Sequence, residues 1–143
     1  DINPSFARSI IDITAIPFPE NYFDFIICAH VLGHVPDEGK AIDELFRVTK
    51  KNGTALVMTL LNPGAEKTYE NPEIVAGKDR LAVYGEPDLC RLHGQDFETR
   101  LQKGGFTVER IDYRTKLPPE IAETYRLGDG RREIIFKCTK PVS

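Results

Sequence analysis

The sequence predicts an α/β fold organised around a parallel strand–helix–strand unit. Residues 25–29 form a nearly unbroken apolar run of strand length, which is typical of a strand covered on both faces in a parallel sheet. Over residues 37–51, apolar side chains recur at helical spacing on one face and charged side chains on the other, which predicts an amphipathic crossover helix ended by Asn52-Gly53. The apolar run at residues 55–61 should then lie parallel to the first strand, because such crossovers are right-handed.

Shorter elements are predicted on both sides of this unit. Residues 8–13 are β-rich and precede a proline-containing loop, so they predict a short strand. Residues 65–94 show weak periodicity and are interpreted as a lid or substrate-side insertion. The C-terminal part is predicted to contain a helix at 95–103, a strand at 106–113, a helix from Pro118 to about 127 and a strand at 132–139.

Composition limits the classes of partner. The chain has 143 residues, enough for one domain, and a formal net charge of -3, so no basic field indicates nucleic acid or an anionic membrane surface. We therefore expect a small-molecule or protein partner. No apolar run approaches the roughly 18 residues that span a bilayer, and no basic-then-apolar leader opens the chain, so we expect a cytoplasmic protein. Cys28, Cys90 and Cys138 are far apart and odd in number, which favours reduced thiols.

Six short segments in order identify a family resemblance. They are Asp12-Ile13-Thr14, Pro17-Phe18-Pro19, Phe23-Asp24-Phe25-Ile26, His30-Val31-Leu32-Gly33-His34, Glu44-Leu45-Phe46-Arg47-Val48 and Lys51-Asn52-Gly53. Together they resemble class I S-adenosylmethionine-dependent methyltransferases, closest to the bacterial branch whose fourth strand ends in His-Val-Leu-Glu-His. The likeness continues through Val83-Tyr84-Gly85, Arg91-Leu92-His93-Gly94 and Gly104-Gly105-Phe106.

The resemblance implies a Rossmann-like sheet with the strand order 3-2-1-4-5-7-6, of which this chain would supply the third to seventh strands and lack the first two. Residues 1–143 are accordingly expected to be the C-terminal part of a single methyltransferase domain. The implied activity is transfer of a methyl group from S-adenosylmethionine to an unidentified acceptor. A non-catalytic binding or assembly module on the same scaffold is the alternative, favoured by the absence of the Gly-rich loop that cradles the methionine part of the cofactor in the family.

The resemblance also implies cofactor-binding roles for six residues. Asp1 matches the acid that binds the ribose hydroxyls, and Asp12 matches the acid near the adenine amine. The backbone amide of Ile13 would meet the adenine ring, and the strand end would border the methionine moiety and the methyl group through Cys28, Ala29 and His30. In this family branch Gly33 stands where Glu is usual, which removes a carboxylate from the edge of the site.

The roles of several side chains can be interpreted in two ways. His30 is a candidate general base, because a neutral imidazole can accept a proton near pH 7, but a structural histidine fits its position equally. A zinc site using Cys28, His30, His34 or His93 is disfavoured, because the sequence does not ensure that three ligands converge; we assign no metal. The acceptor side could involve residues of the 65–94 segment, or these could contribute only packing: Tyr69, Tyr84, Arg91 and His93.

The missing strands would expose the edge of strand 24–30. A parallel neighbour needs a crossover of about a dozen residues, and residues 14–23 form a shorter loop with two prolines, so strand 8–13 should not fill this place. An apolar, unpaired edge is a template for association. We therefore expect either a homodimer through the 24–30 edge or a preceding segment that completes the sheet.

Overall fold

A mixed four-stranded sheet forms the centre of the molecule in the computed structural model, which describes residues 9–143. Within these residues the chain also forms a two-stranded sheet, four α-helices and two 3-10 helices. The strands are β1 (Phe23–Ala29), β2 (Thr49–Met58), β3 (Tyr69–Glu70), β4 (Arg91–Leu92), β5 (Thr107–Ile111) and β6 (Ile135–Thr139). The α-helices are α1 (Glu38–Val48), α2 (Gly77–Tyr84), α3 (Phe97–Lys103) and α4 (Pro119–Thr124), and the 3-10 helices span Leu32–His34 and Tyr113–Lys116.

The sheet has the order β1-β2-β6-β5, with β1 at one edge of the described residues. β1 pairs with β2 in parallel, whereas β6 is antiparallel to both β2 and β5. This is the 4-5-7-6 portion of the strand order that the family resemblance implies, so the fold class predicted from sequence is confirmed.

The crossover helix is present but ends earlier than predicted. Asp37 caps its start, since its side chain accepts a hydrogen bond of 3.0 Å from the backbone N–H of Lys40. The helix closes at Val48 instead of at Asn52-Gly53. Asn52 and Gly53 lie inside β2, where an irregularity in the β1–β2 register adds residues between the partners of Phe23 and Phe25. Asn52 adopts a φ of 62°, so the left-handed residue marks this irregularity and not a helix end.

A strand was predicted at residues 8–13. The described part of that range, residues 9–13, forms no strand, so the prediction is wrong there. Residues 9–22 form bends and turns. The carboxylate of Asp12 accepts from both the backbone N–H and the hydroxyl of Thr14, at 2.8 and 2.7 Å, and Ala15 N–H donates to the carbonyl of Asp12. These local bonds compete with strand pairing and stabilise a turn.

The two C-terminal strands are shorter than predicted because side chains bind the backbone at their ends. Asp112 accepts from the backbone N–H of Arg114 and caps the 3-10 helix that follows β5. Before β6, the carboxylate of Glu133 accepts from the backbone N–H groups of Gly128 and Gly130, each at 3.0 Å.

The core lies between the sheet and helices α1 and α3. Phe97, Leu101 and Phe136 are its largest fully buried apolar side chains together with Leu32, and the rings of Phe97 and Phe136 meet edge to face. β1 was predicted to be covered on both faces, and this prediction is wrong. One face is open, because Phe25 and Ile27 are 53% and 64% exposed. Within residues 9–143, no helix is both long and apolar enough to cross a bilayer.

Candidate functional site

A groove of about 1000 Å³ runs along β1 and past its carboxyl end. We call it the β1 groove. Five of the six residues to which the resemblance gives cofactor roles line it, namely Asp12, Ile13, Cys28, Ala29 and His30. The sixth, Asp1, lies outside the described residues. The groove therefore brings together residues that are up to eighteen positions apart, at the strand end where ligands bind in open α/β sheets.

His30 is placed at the strand end by an unusual backbone conformation. Its φ is 55°, in the left-handed region, so the chain turns sharply as it leaves β1. The Nδ1 atom is shielded from solvent and makes no hydrogen bond with any described residue. Burial, followed by the positive charge of Arg132, lowers the pKa of His30 below its ordinary value. The ring is therefore a neutral imidazole at pH 7, the form that can accept a proton.

Asp12 and Ile13 lie on the turn that forms another wall of the groove. The hydrogen bond from the Thr14 hydroxyl, and after it the one from the Thr14 backbone N–H, lower the pKa of the exposed Asp12 carboxyl. The lowered pKa keeps this carboxyl ionised. A carboxylate has about four lone-pair positions, and Thr14 uses only part of them. Asp12 can therefore accept from a ligand N–H or O–H without losing its turn.

The other two strand-end residues differ in their environment. Ala29 is exposed, whereas the thiol of Cys28 packs into the hydrophobic core and has its pKa raised to about 12 by burial. A thiol of that pKa is not a nucleophile near pH 7. Cys28 can therefore contribute to the groove by shape and backbone, but not by covalent chemistry.

The candidates for the acceptor side do not gather in the groove. Arg91, His93 and Tyr84 are all buried away from it, and Tyr69 is 53% exposed and stacks near Tyr84 with ring centroids 5.9 Å apart. Tyr84 uses its hydroxyl to accept from the backbone N–H of Asn71 at 2.9 Å. Their contacts are those of packing and internal hydrogen bonding.

His34 lies in a cluster with Glu86 and Asp88, which together have the residue types of a metal site. The two carboxylates approach different ring atoms: Asp88 lies 3.4 Å from Nδ1 and Glu86 lies 3.8 Å from Nε2. One ligand atom from each of the three residues lies within 4.8 Å of the others, but Glu86 is already paired with Arg132. We assign no metal to the cluster and interpret it as a polar part of the β1 groove, which His34 and Asp88 line.

A buried charged network adjoins the site and was not predicted from sequence. Glu38, at the first turn of α1, accepts from His93 Nε2 and, at 2.6 Å, from Arg100 Nη1. The other ring nitrogen of His93 lies 2.8 Å from the hydroxyl of Thr59. A glutamate beside an N-cap normally indicates a solvated helix start, so the sequence carried no signal that Glu38 is buried.

Comparison with known proteins finds similarity to methyltransferases. A family model described as a methyltransferase domain matches residues 6–57. The ubiquinone/menaquinone biosynthesis C-methyltransferase UbiE of Yersinia enterocolitica is 43% identical over 88 residues, which are 59% of this chain and 32% of the relative. The chain thus spans about a third of the length of that curated relative.

Solved structures show the same fold. The [4+2]-cyclase SpnF superposes with a TM-score of 0.64 at 18% identity, over 94% of this chain and 57% of that one. A phosphoethanolamine N-methyltransferase of Haemonchus contortus, solved with phosphomonomethylethanolamine and S-adenosylhomocysteine, gives a TM-score of 0.58 at 14% identity, over 92% of this chain and 37% of that one. The matched domain model over residues 6–57 and the shared fold show that this chain is similar to class I S-adenosylmethionine-dependent methyltransferases.

Proposed function

We propose that this chain takes part in methyl transfer from S-adenosylmethionine and that the β1 groove holds the cofactor. The observation that carries the proposal is the convergence of Asp12, Ile13, Cys28, Ala29 and His30 on one groove at the end of β1. A structural neighbour with the same fold has S-adenosylhomocysteine bound, which supports this class of ligand.

The residues divide the work between binding and chemistry. Asp12 would accept from the adenine amine and the Ile13 amide would face the ring. His30, neutral at pH 7 and with an unpaired Nδ1 among the described residues, would border the methyl group and take a proton from the acceptor. S-adenosylmethionine would supply the methyl group when bound, and the task of the chain's own residues would be to align the acceptor and to exclude water. The acceptor is a small molecule or a protein.

Binding of S-adenosylhomocysteine, measured by titration calorimetry, tests the cofactor assignment. Asp12→Ala should weaken binding by about tenfold or more, because a hydrogen bond to a charged group is lost. Asp24→Ala is the matched control, since Asp24 is also an exposed aspartate but pairs with Lys50 outside the groove. Equal affinities for the two variants, or no binding by the native chain at millimolar ligand, would contradict the assignment of the β1 groove as the cofactor site.

The alternative is a binding or assembly module that does not transfer methyl groups. The fold by itself does not decide between the two, and the cyclase neighbour shows that this architecture is found outside methyl transfer. His30→Asn separates them in a protein with measurable turnover. A catalytic His30 predicts that turnover falls much more than the melting temperature, whereas a structural one predicts that both fall together.

We also propose that the chain associates through the β1 edge. β1 pairs with a strand on one side only within the described sheet, and its residues Phe25 and Ile27, which line the β1 groove ahead of the strand end assigned to the cofactor, are largely exposed. Ile27→Lys should then convert a dimer to a monomer in light scattering. A single species of 16.1 kDa for the native chain would contradict this proposal. The three widely spaced free thiols are typical of a reducing compartment, and on this ground we assign the chain to the cytoplasm.

A further inference from the structure

The loop after β1, residues 30–36, connects the strand to α1 and carries His30 into the groove. A loop that turns at a left-handed residue and runs close to the core must find partners for its own carbonyl groups. The main hydrogen bonds within this loop are His34 N–H to Val31 at 3.0 Å and Val35 N–H to Leu32 at 3.3 Å. The loop therefore depends on contacts from elsewhere in the chain.

Two adjacent residues from the start of β4 supply those contacts. Cys90 donates its backbone N–H and its thiol, at 2.8 and 3.4 Å, and Arg91 donates three bonds from its two terminal nitrogens, at 2.6 to 2.9 Å. The acceptors are the carbonyl oxygens of five consecutive residues, namely Leu32, Gly33, His34, Val35 and Pro36.

Arg91 is itself fixed in one orientation. The side chain is 4% exposed, and its Nε donates to Glu70 at 2.9 Å. The second oxygen of Glu70 accepts from Arg100 at 3.0 Å, so the carboxylate is held from both sides. A guanidinium is a planar fork of five donors, and here four bonds use that fork in a single geometry. A lysine has a single nitrogen with three donors, so it could not reproduce the four bonds that Arg91 makes from three separate nitrogens.

We infer that Arg91 is a positioning residue, which holds the loop of residues 30–36 so that His30 faces the β1 groove. This inference deepens the proposed function and rests on it for the identity of the ligand. The positioning role of Arg91 does not depend on the ligand, because the loop of residues 30–36, the guanidinium of Arg91 and the β1 groove are all formed by the chain itself. Arg91 does not line the groove, and it acts through the carbonyls of Leu32, Val35 and Pro36.

Amide hydrogen exchange in the Arg91→Lys variant tests the inference on the unliganded 143-residue chain. The amides of His34 and Val35 should exchange about tenfold faster, the factor that corresponds to about one net hydrogen bond. The β2–β6 amides, such as those near Val57 and Phe136, should change less than the loop amides, because they report on the whole fold. Equal acceleration of loop and core amides would show a general stabilising role and would overturn the inference.

The pKa of His30, measured by NMR of its ring, is a second test. A general loss of stability would not change this pKa in the folded state. Burial is the first cause of the lowered pKa of His30, so a loosened loop should raise that pKa toward the ordinary value. Arg80→Lys is the matched control, because Arg80 also binds a carbonyl, that of Ile74 at 3.0 Å, within the same segment but away from the loop. An unchanged His30 titration in Arg91→Lys would overturn the inference.

Calorimetry with S-adenosylhomocysteine then connects the loop to the ligand. Arg91→Lys should weaken binding about tenfold relative to Arg80→Lys if the loop shapes the groove. Unchanged affinity, with the loop loosened, would show that the loop does not position the site and would overturn the inference. If the native chain binds no S-adenosylhomocysteine, the proposed function fails, while the exchange and His30 data still decide whether Arg91 positions His30.

Discussion

Replacement of Glu38 by glutamine should destabilise the fold, because this carboxylate is buried and hydrogen-bonded. Glu38 is 6% exposed and accepts from His93, which is fully buried, and from Arg100. Breaking a buried pair by removing one partner costs about 3 to 5 kcal/mol, because the other charge is left without compensation.

Two features reduce this figure for Glu38→Gln. Arg100 is 25% exposed and keeps Glu70 at 3.0 Å and Asp96 at 3.4 Å, so its charge is not stranded. The glutamine carbonyl can still accept from His93. We therefore expect a loss of about 2 to 3 kcal/mol at pH 7. For a domain of this size, that corresponds to a fall in melting temperature of roughly 10 °C.

The effect should also depend on pH with a definite sign. Burial alone would raise the pKa of Glu38, but the hydrogen bonds from His93 and Arg100 outweigh it and lower the pKa below the ordinary value of 4.5. A carboxyl with a lowered folded pKa stabilises the fold above its unfolded pKa, and that contribution is lost as pH falls through the folded pKa. The difference between native and variant protein should therefore shrink below about pH 4.5.

Urea denaturation at several pH values measures this difference. Glu109→Gln is the matched control, because Glu109 is 62% exposed and lies 3.7 Å from Lys137 in a surface pair that contributes at most about 1 kcal/mol. If Glu38→Gln were no more destabilising than Glu109→Gln at pH 7, or if its effect were the same at pH 3 and pH 7, the account of the buried network would be wrong.

Two further predictions concern packing and thiols. Gly104→Ala should cost about 1 to 3 kcal/mol in urea denaturation, because a Cβ would lie 2.3 Å from a methyl carbon of α1, whereas Gly39→Ala, with open space inside α1, should stabilise by up to about 1 kcal/mol. With a thiol reagent at pH 8, one thiol should react in the native protein and three after unfolding, because burial raises the pKa of Cys28 and of Cys138 to about 12 and Cys90 is only half-buried. Equal stabilities of the two alanine variants, or three fast thiols in the native state, would contradict these expectations.

The parts of the fold that follow from local sequence patterns could be predicted. The amphipathic pattern of α1 and the apolar runs of β1 and β2 are local signals, and each of these elements is found. The order of the sheet came from the family resemblance, since periodicity does not specify which strands are neighbours. The end of α1 and the turn at Asp12 were missed because one left-handed Asn and one Asp–Thr pair changed the local backbone.

The candidate site divides in the same way. The residues of the groove lie in short motifs whose order is visible in the chain, so Asp12 and His30 could be predicted to lie near one site. The contacts that hold the loop come from Arg91, about sixty positions away, and no pattern in the sequence connects the two. The buried position of Glu38 depends likewise on two partners in the segment of residues 93–100. Such pairings appear only when the fold brings the segments together.

Gly33, which stands where the related branch usually has Glu, also affects how residues 89–91 contact the loop of residues 30–36. The related branch usually has Glu here, but in this chain a Cβ at position 33 would lie 2.9 Å from the side chain of Leu89 and 3.9 Å from the carbonyl of Arg91. The glycine therefore permits the close approach of residues 89–91 that lets Cys90 donate to the carbonyl of Gly33. Gly33→Glu should thus not restore a family feature in isolation, because it would displace Leu89 and loosen the same loop that Arg91 holds. Faster exchange of the Val35 amide in Gly33→Glu than in Gly39→Ala would support this argument, and unchanged exchange would contradict it.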